Sequence, residues 1–322
     1  MKIGIIGTGG IAHTVTRTLL QMDGVECYAI ASRQTERAEA FRKEFGFAKA
    51  YGSYEALVND PEVELVYVTT PHSAHFDCMM LCLAHRKPVL CEKAFTVNAR
   101  QAALIRDYAR EQRTLAAEAI WPRYMPSRGI IQDILDSGII GKPNILTANL
   151  SYVTYQVKRI TDPALAGGAL LDVGVYGINF ALMHFGDDIE RIESAVRMTD
   201  TGVDGTESIT LFYRDGRMAV LTHGIYARSD RQGIIYGDKG YLVVENINNP
   251  SRVSVYDNGD VLLKTVDTPP EISGYEYEFR ACMDAVQNGK IEADAMPLDD
   301  SVRMMTVMDT IRAGWGLTYP CE

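Results

Sequence analysis

Cysteine is scarce and unpatterned in this chain. The six residues, Cys27, Cys78, Cys82, Cys91, Cys282 and Cys321, include no CxxC pair and no zinc-ligand spacing, which argues against a metal site or disulfide framework and for a reducing compartment. Basic residues are also in the minority, 32 Lys and Arg against 42 Asp and Glu, and nowhere form a run. A formal charge of -10 repels phosphate backbones and anionic lipid headgroups, so neither nucleic acid nor a membrane is an expected partner. No apolar stretch reads as long enough to span a bilayer. The opening Met1-Lys2-Ile3-Gly4-Ile5-Ile6 breaks at a glycine cluster before a signal-peptide core can form. Cytoplasmic residence is the default expectation. Internal repeats, low-complexity tracts and long linkers are missing as well.

With those classes set aside, 47% hydrophobic and 23% charged residues fit an ordinary globular chain. At roughly 150 residues per domain, 322 residues make about two. From residue 1 to about 120, short apolar runs rotate with longer stretches of helical period. Lys2–Ile6, Glu26–Ala31, Leu65–Thr69, Pro88–Cys91 and Thr114–Ala119 are candidate strands; Ile11–Met22, Thr35–Phe45, Ser73–Ala84 and Ala99–Gln112 are candidate helices. That rotation predicts βαβ units on a parallel sheet. After a helical stretch over Pro126–Ser137 and the turn Gly141-Lys142-Pro143, the texture changes. Candidate strands from Asn144–Thr154 to Val261–Val266 are joined by turn pairs such as Asp215-Gly216 and Lys239-Gly240, which predict hairpins and an antiparallel sheet. One long helix over Leu170–His184 follows the first of these strands, and two more helices close the chain.

Gly7-Thr8-Gly9-Gly10-Ile11-Ala12 sits between the first strand and the first helix. A GxGxxA pattern in that context suits a dinucleotide. Gly7 permits the turn, Gly9 lets backbone approach a pyrophosphate at the helix N-terminus, and Ala12 keeps helix and strand close. Gly7, Thr8, Gly9, Gly10 and Ile11 are the first cofactor-binding candidates. The second strand ends in Ala31-Ser32-Arg33, with Arg37 one helical turn on. An acid there would take the ribose hydroxyls of NAD, whereas a hydroxyl and guanidinium groups suit a 2'-phosphate, so NADP(H) is expected over NAD(H). Ser32 as a helix cap beside a solvated Arg33 is the alternative. Cys91-Glu92-Lys93 ends another strand, where open α/β sheets place ligands; a surface ion pair is the other account. In Gly167-Gly168-Ala169-Leu170-Leu171-Asp172-Val173-Gly174-Val175-Tyr176, Asp172 and Tyr176 share one face of an apolar helix. On residue types alone, an acid favouring the helix N-terminus and a core tyrosine explain the pair better.

Together with Thr70-Pro71-His72-Ser73-Ala74-His75 and Glu118-Ala119-Ile120-Trp121-Pro122-Arg123-Tyr124-Met125-Pro126, these motifs stand in an order that resembles the Gfo/Idh/MocA oxidoreductase family. The resemblance covers essentially the whole chain. It is most marked to the branch containing dimeric dihydrodiol dehydrogenase, glucose-fructose oxidoreductase and NADP-dependent xylose dehydrogenase. It implies an α/β architecture, with an N-terminal Rossmann dinucleotide-binding domain over 1–120. A C-terminal α/β domain with an open, mainly antiparallel sheet would follow over 121–322, binding substrate and forming a homodimer or homotetramer. The implied reaction moves a hydride between nicotinamide and a CH–OH group of a sugar, polyol or cyclic diol, with no metal.

By the same resemblance, Lys93 and Tyr176 act at the reacting oxygen and Asp172 assists. These three are the candidate catalytic residues and, with Tyr155, the candidate substrate contacts. Thr69, Thr70, Pro71, His72, His75, Glu92, Lys93, Trp121 and Arg123 would lie along the cofactor. A tyrosine, with an ordinary pKa near ~10, is a poor base unless a cation stabilises its phenolate, and Lys93 would supply that charge. In reduction Tyr176 would be the acid. Plainer accounts exist for several of these residues. His75 would steady the next helix, His72 would sit exposed in its first turn, and Trp121 would be a packing wall. Tyr152 and Tyr155, on the first strand of the second domain, would pack in a core or sheet interface. Ala94 departs from the family, which has a proline there, often after a cis peptide bond. Rival readings are an NAD-preferring dehydrogenase or keto-sugar reductase of the same fold, and a non-catalytic dinucleotide-sensing regulator.

Overall fold

The computed structural model describes all 322 residues. They form two compact units, Met1–Trp121 with Glu271–Met305, and Pro122–Pro270 with Thr306–Glu322. A single boundary near residue 120 therefore does not divide the chain, which enters the first unit again after Pro270 and leaves it after Met305. Packing explains the return. Phe279 meets Tyr67 edge-on with ring centroids 5.1 Å apart, and Asp299 pairs with Arg106 and Arg110 at 3.0 and 2.9 Å.

In the first unit the chain runs β1 (Lys2–Ile6), α1 (Gly10–Leu19), β2 (Glu26–Ala31), α2 (Thr35–Phe45), β3 (Lys49–Tyr51), α3 (Tyr54–Val58), β4 (Leu65–Val68), α4 (His75–Ala84), β5 (Val89–Glu92), α5 (Ala99–Gln112) and β6 (Ala116–Ala119), with α9 (Glu276–Gln287) added late. Its six strands are all parallel, in the order β3-β2-β1-β4-β5-β6. Leu65, Val66, Tyr67 and Val68 are all fully buried, which is why β4 reads as an unbroken apolar run; both faces of a parallel sheet are covered by helices. The direction of winding reverses between β1 and β4, the place where such sheets bind ligands beyond their carboxyl ends. β3 has no signature of its own in the sequence, because three half-exposed residues carry no measurable period.

The second unit contains α6 (Pro126–Asp136), β7 (Pro143–Ser151), α7 (Lys158–Thr161), a π-helical turn at Leu170–Gly174, α8 (Val175–Phe185), β8 (Ile189–Met198), β9 (Asp204–Tyr213), β10 (Met218–Gly224), β11 (Gly233–Gly237), β12 (Gly240–Val244), β13 (Arg252–Asp257) and β14 (Leu262–Asp267). The last helix, α10 (Leu298–Trp315), ends here. The eight strands pair in the order β14-β13-β12-β11-β7-β10-β9-β8. All pairs are antiparallel except β7 with β10. Burial alternates along β9 and β10, so one face is covered, and α8 with the π turn lies on it.

Two expectations change here. The run from Pro163 to Phe185 is long and apolar enough in composition to cross a bilayer, contrary to the reading that no stretch is; 94% of that window is buried inside the protein. An all-round apolar helix is also what a core helix looks like, and α8 packs on β7 and β10. Second, β7 ends at Ser151, so Tyr152 and Tyr155 lie beyond the strand. The chain bends there: the Thr154 and Tyr155 N–H groups both donate to the Ile225 carbonyl, at 2.9 and 3.2 Å.

Candidate functional site

At the carboxyl ends of β1, β2, β4 and β5, the first unit gathers most of the cofactor candidates. After Ile6 the chain turns at Gly7, where φ is +107° and a Cβ would press on Thr69 Oγ1; only glycine fits. α1 then begins with Gly9 as N-cap, and neither a side-chain cap nor a first-turn acid occupies its free N–H groups. A side chain at Gly10 would meet nothing within 4 Å. Thr8 and Ile11 stand half-exposed in the same turn. Free N–H groups, the positive end of a helix dipole and bare backbone fit a pyrophosphate.

At the end of β2, Ser32 is buried and its Oγ accepts from the Gln34 N–H at 3.3 Å. The N-cap of α2 is Gln34, not Ser32. Arg33 is exposed with its charge near Tyr54, while Arg37 is exposed on α2. No carboxylate occupies Ala31-Ser32-Arg33, so these groups fit a 2'-phosphate on the ribose.

Beyond β4, Thr69 Oγ1 donates to the Ile6 carbonyl at 2.9 Å, and Pro71 leads into a short 3-10 turn at His72–Ala74. His72 is buried and stacks edge-on to His75, so it is not an exposed first-turn residue. His75 is fully buried, with Nδ1 2.8 Å from the Ala94 carbonyl and Nε2 2.9 Å from the Thr70 carbonyl. Burial holds its pKa below the usual value. The ring thus clasps the segment after β4 to the segment after β5. There Lys93 is half-buried, and the Lys93–Ala94 peptide bond is cis. Glu92 is buried and accepts from the Tyr67 hydroxyl. The Trp121 indole lies flat on Tyr275, with centroids 4.1 Å apart and planes 8° from parallel.

The second unit carries the other candidates. In the π turn and the start of α8, Asp172 and Tyr176 are buried at 6% and 8% exposure, so each presents only a small part to the surface. Asp172 Oδ1 accepts from Arg159 Nη1 at 2.8 Å, the arginine half-exposed on α7. Arg123 is buried and its Nε donates to Asn179 Oδ1 on α8 at 2.6 Å. Tyr155 is exposed, its ring tilted 5.5 Å from that of Tyr226.

Sequence reasoning passed over four kinds of residue here. Arg159 lies just before the Gly167-Gly168 pair but has no motif of its own. Glu278, fully buried on α9, faces Glu92; burial and that neighbouring acid hold its pKa well above the carboxylate range. Tyr54 was unremarked beside Arg33. Glu207 and His223 stand at inward phases of β9 and β10, in step with Ile209 and Leu211, and with Ala219 and Leu221. Charge in an apolar phase was the available signal.

A glycine turn at the switch point of a parallel sheet, followed by an uncapped helix, defines a nucleotide-binding Rossmann unit. Residues 1–119 match the model described as oxidoreductase family, NAD-binding Rossmann fold, and residues 130–243 match the GFO/IDH/MocA C-terminal domain. The trans-1,2-dihydrobenzene-1,2-diol dehydrogenase of Mus musculus is 33% identical over 333 residues, spanning 99% of this chain and 98% of the mouse protein. The Homo sapiens protein of the same name is 32% identical over 334 residues, with 99% and 98% covered. A 3-ketoreductase from Actinomadura kijaniata, solved in complex with NADP and TDP-benzene, superposes with a TM-score of 0.90 at 28% identity, covering 98% of this chain and 97% of that one. The chain belongs to the Gfo/Idh/MocA oxidoreductase family. NAD(P) binding goes with its Rossmann unit.

Proposed function

We propose that this protein is a dehydrogenase or reductase that prefers NADP(H) and acts on a CH–OH group of a sugar, polyol or cyclic diol. The observation that carries this is the uncapped, bare start of α1 at the same sheet edge as Lys93. The names of the similar mammalian and bacterial enzymes support the substrate class. Gly7, Thr8, Gly9, Gly10 and Ile11 would hold the pyrophosphate, and Ser32, Arg33 and Arg37 the 2'-phosphate. When bound, the nicotinamide supplies the hydride acceptor or donor.

The chain's own groups handle the proton. In this proposal Tyr176 takes the hydroxyl proton in oxidation and returns it in reduction, and Lys93 donates a hydrogen bond to the substrate oxygen. Asp172, steadied by Arg159, accepts from a neighbouring substrate hydroxyl. Reduction of a keto-sugar is a second reading, favoured by the similarity to the 3-ketoreductase. We also propose self-association through the open sheet face, supported by the stacked Tyr241 and Tyr256 rings and exposed Val261, Leu262 and Leu263. Light scattering of the purified protein tests that point.

The activity is tested by following NADPH absorbance with NADP+ and a panel of aldoses, inositols and cyclic diols, NAD+ in parallel. Saturable turnover with NADP+ is expected. Protein that binds NADPH but turns over nothing in either direction would count against the enzyme and for a dinucleotide-sensing regulator.

A further inference from the structure

The polar groups left unused by this chemistry concentrate at one place in the second unit. Asp204 and Glu207 stand on β9 and His223 on β10, where Glu207 and His223 are cross-strand partners. Asp204 is fully buried, the other two side chains are equally sealed, and His223 Nδ1 lies 2.8 Å from Glu207 Oε1. Backbone of the π turn and α8 lies directly against them. The Leu170 N–H donates to Asp204 Oδ2. A Cβ on Gly168 would collide with Asp204 Oδ1, one on Gly174 with Glu207 Oε1, and one on Gly177 with His223 Nε2. Each member of the trio therefore abuts one glycine of the segment that carries Asp172 and Tyr176.

Burying three ionisable groups is costly, and apolar side chains at the same phases would fill this space more cheaply. Polar atoms fix angle and depth in a way that methyl groups do not. We infer that Asp204, Glu207 and His223 are positioning residues for the reaction: they seat the π turn on the sheet and so set where Asp172 and Tyr176 stand. This rests on the reading that Tyr176 exchanges the substrate proton. A π-helical turn, which widens the helix by one residue per turn, is a common device at functional sites, and this one is held by the trio through its backbone. Burial pushes the Asp204 and Glu207 carboxyls up to about 8 and the His223 imidazole down to about 3. The trio thus keeps protons on its acids and none extra on its imidazole. The other titratable group set against it is the buried Tyr319 hydroxyl, whose ring carries the Arg312 guanidinium and lies near Glu322.

Glu207→Gln, Gly177→Ala and the double change Gly177→Ala with His223→Ala test this in the full-length protein. Wild type and Tyr176→Phe serve as controls. Turnover on the aldose and diol panel is read with NADPH affinity, melting temperature and amide exchange of residues 168–177 in the NADPH-bound state. Expected are at least a tenfold loss of kcat in Glu207→Gln and Gly177→Ala, a KM for NADP+ within about twofold, and faster exchange across 168–177. Removing the imidazole makes room for the new methyl group, so the double change should regain most of the kcat lost to Gly177→Ala. Folded variants with wild-type kcat, whatever their melting temperature, overturn the inference, as does a kcat loss without faster exchange in 168–177. Full turnover by Tyr176→Phe removes the proton role of Tyr176 instead, a separate failure visible in the control alone.

Discussion

The two units bury charge in different ways. The first places its cofactor candidates at strand ends, where short runs such as Thr69-Thr70 and Glu92-Lys93 end or follow a strand. The second buries Glu207 and His223 within strands, under a helix whose own residues come 30 to 50 positions earlier. A strand end offers backbone and water as partners, so polar groups there are tolerated singly. A mid-strand acid has neither, and survives only when another side chain or a proton neutralises it. The first unit therefore gathers short runs of consecutive residues, one from each strand end, whereas the second brings together single residues from separate elements.

The largest test of this contrast is to remove one chemical group from each unit. Lys93→Met and Tyr176→Phe should each lower turnover by about 10²- to 10⁴-fold, the span of a positioned proton-handling group, with NADPH affinity kept within about twofold. Equal losses would place both units in the chemistry; wild-type turnover in either variant would remove that residue.

Next in size is the glycine turn. Gly7→Ala forces a side chain into a left-handed conformation against Thr69 and should cost about 1–3 kcal/mol of stability. Gly10→Ala, in open space at the start of a helix, should leave the melting temperature at or above that of wild type. Similar losses in both would show that the turn is not constrained as described.

The buried groups of the second unit make stability depend on pH. Asp204 and Glu207 titrate at about 8 in the folded protein against 3.8 and 4.5 ordinarily. The native state thus keeps protons that the unfolded chain releases, and stability falls as pH rises toward 8. His223, and His184 on α8 with its ring nitrogens buried, work the other way, burial holding both at about 3 against 6.5, so their contribution is lost as pH falls below 6.5. The two trends oppose each other up to about pH 6.5; above it only the carboxyls act. Thermal unfolding between pH 6.5 and 8 should show a decline approaching ~1.4 kcal/mol per pH unit for each proton fully retained, shallower in Glu207→Gln. Parallel slopes in the two proteins would contradict this.

The smallest effect belongs to the cofactor's ribose. Arg33→Ala should raise the KM for NADP+ about tenfold, or ~1.4 kcal/mol, and leave that for NAD+ within twofold. Equal changes for both would mean that Arg33 meets no 2'-phosphate.

Much of this architecture was legible beforehand, for local reasons. Rotation of apolar runs with helical periods named the parallel sheet, and Asp215-Gly216 and Lys239-Gly240 named hairpins. What escaped was non-local. The parallel β7–β10 pair has no turn signal because its strands are far apart in sequence. Likewise, nothing near residue 280 announces that Phe279 will reach Tyr67.

By itself the sequence determined the two sheets and the glycine turn, since each rests on a period or spacing within a few residues, while Lys93, Asp172 and Tyr176 became candidates through the family resemblance. Tertiary structure alone decided that Leu170–Gly174 is a π turn, that Arg159 holds Asp172, and that Asp204, Glu207 and His223 lie against Gly168, Gly174 and Gly177. Those outcomes depend on which backbone comes to rest against which side chain, and that is set by burial across the whole chain rather than by any stretch of it.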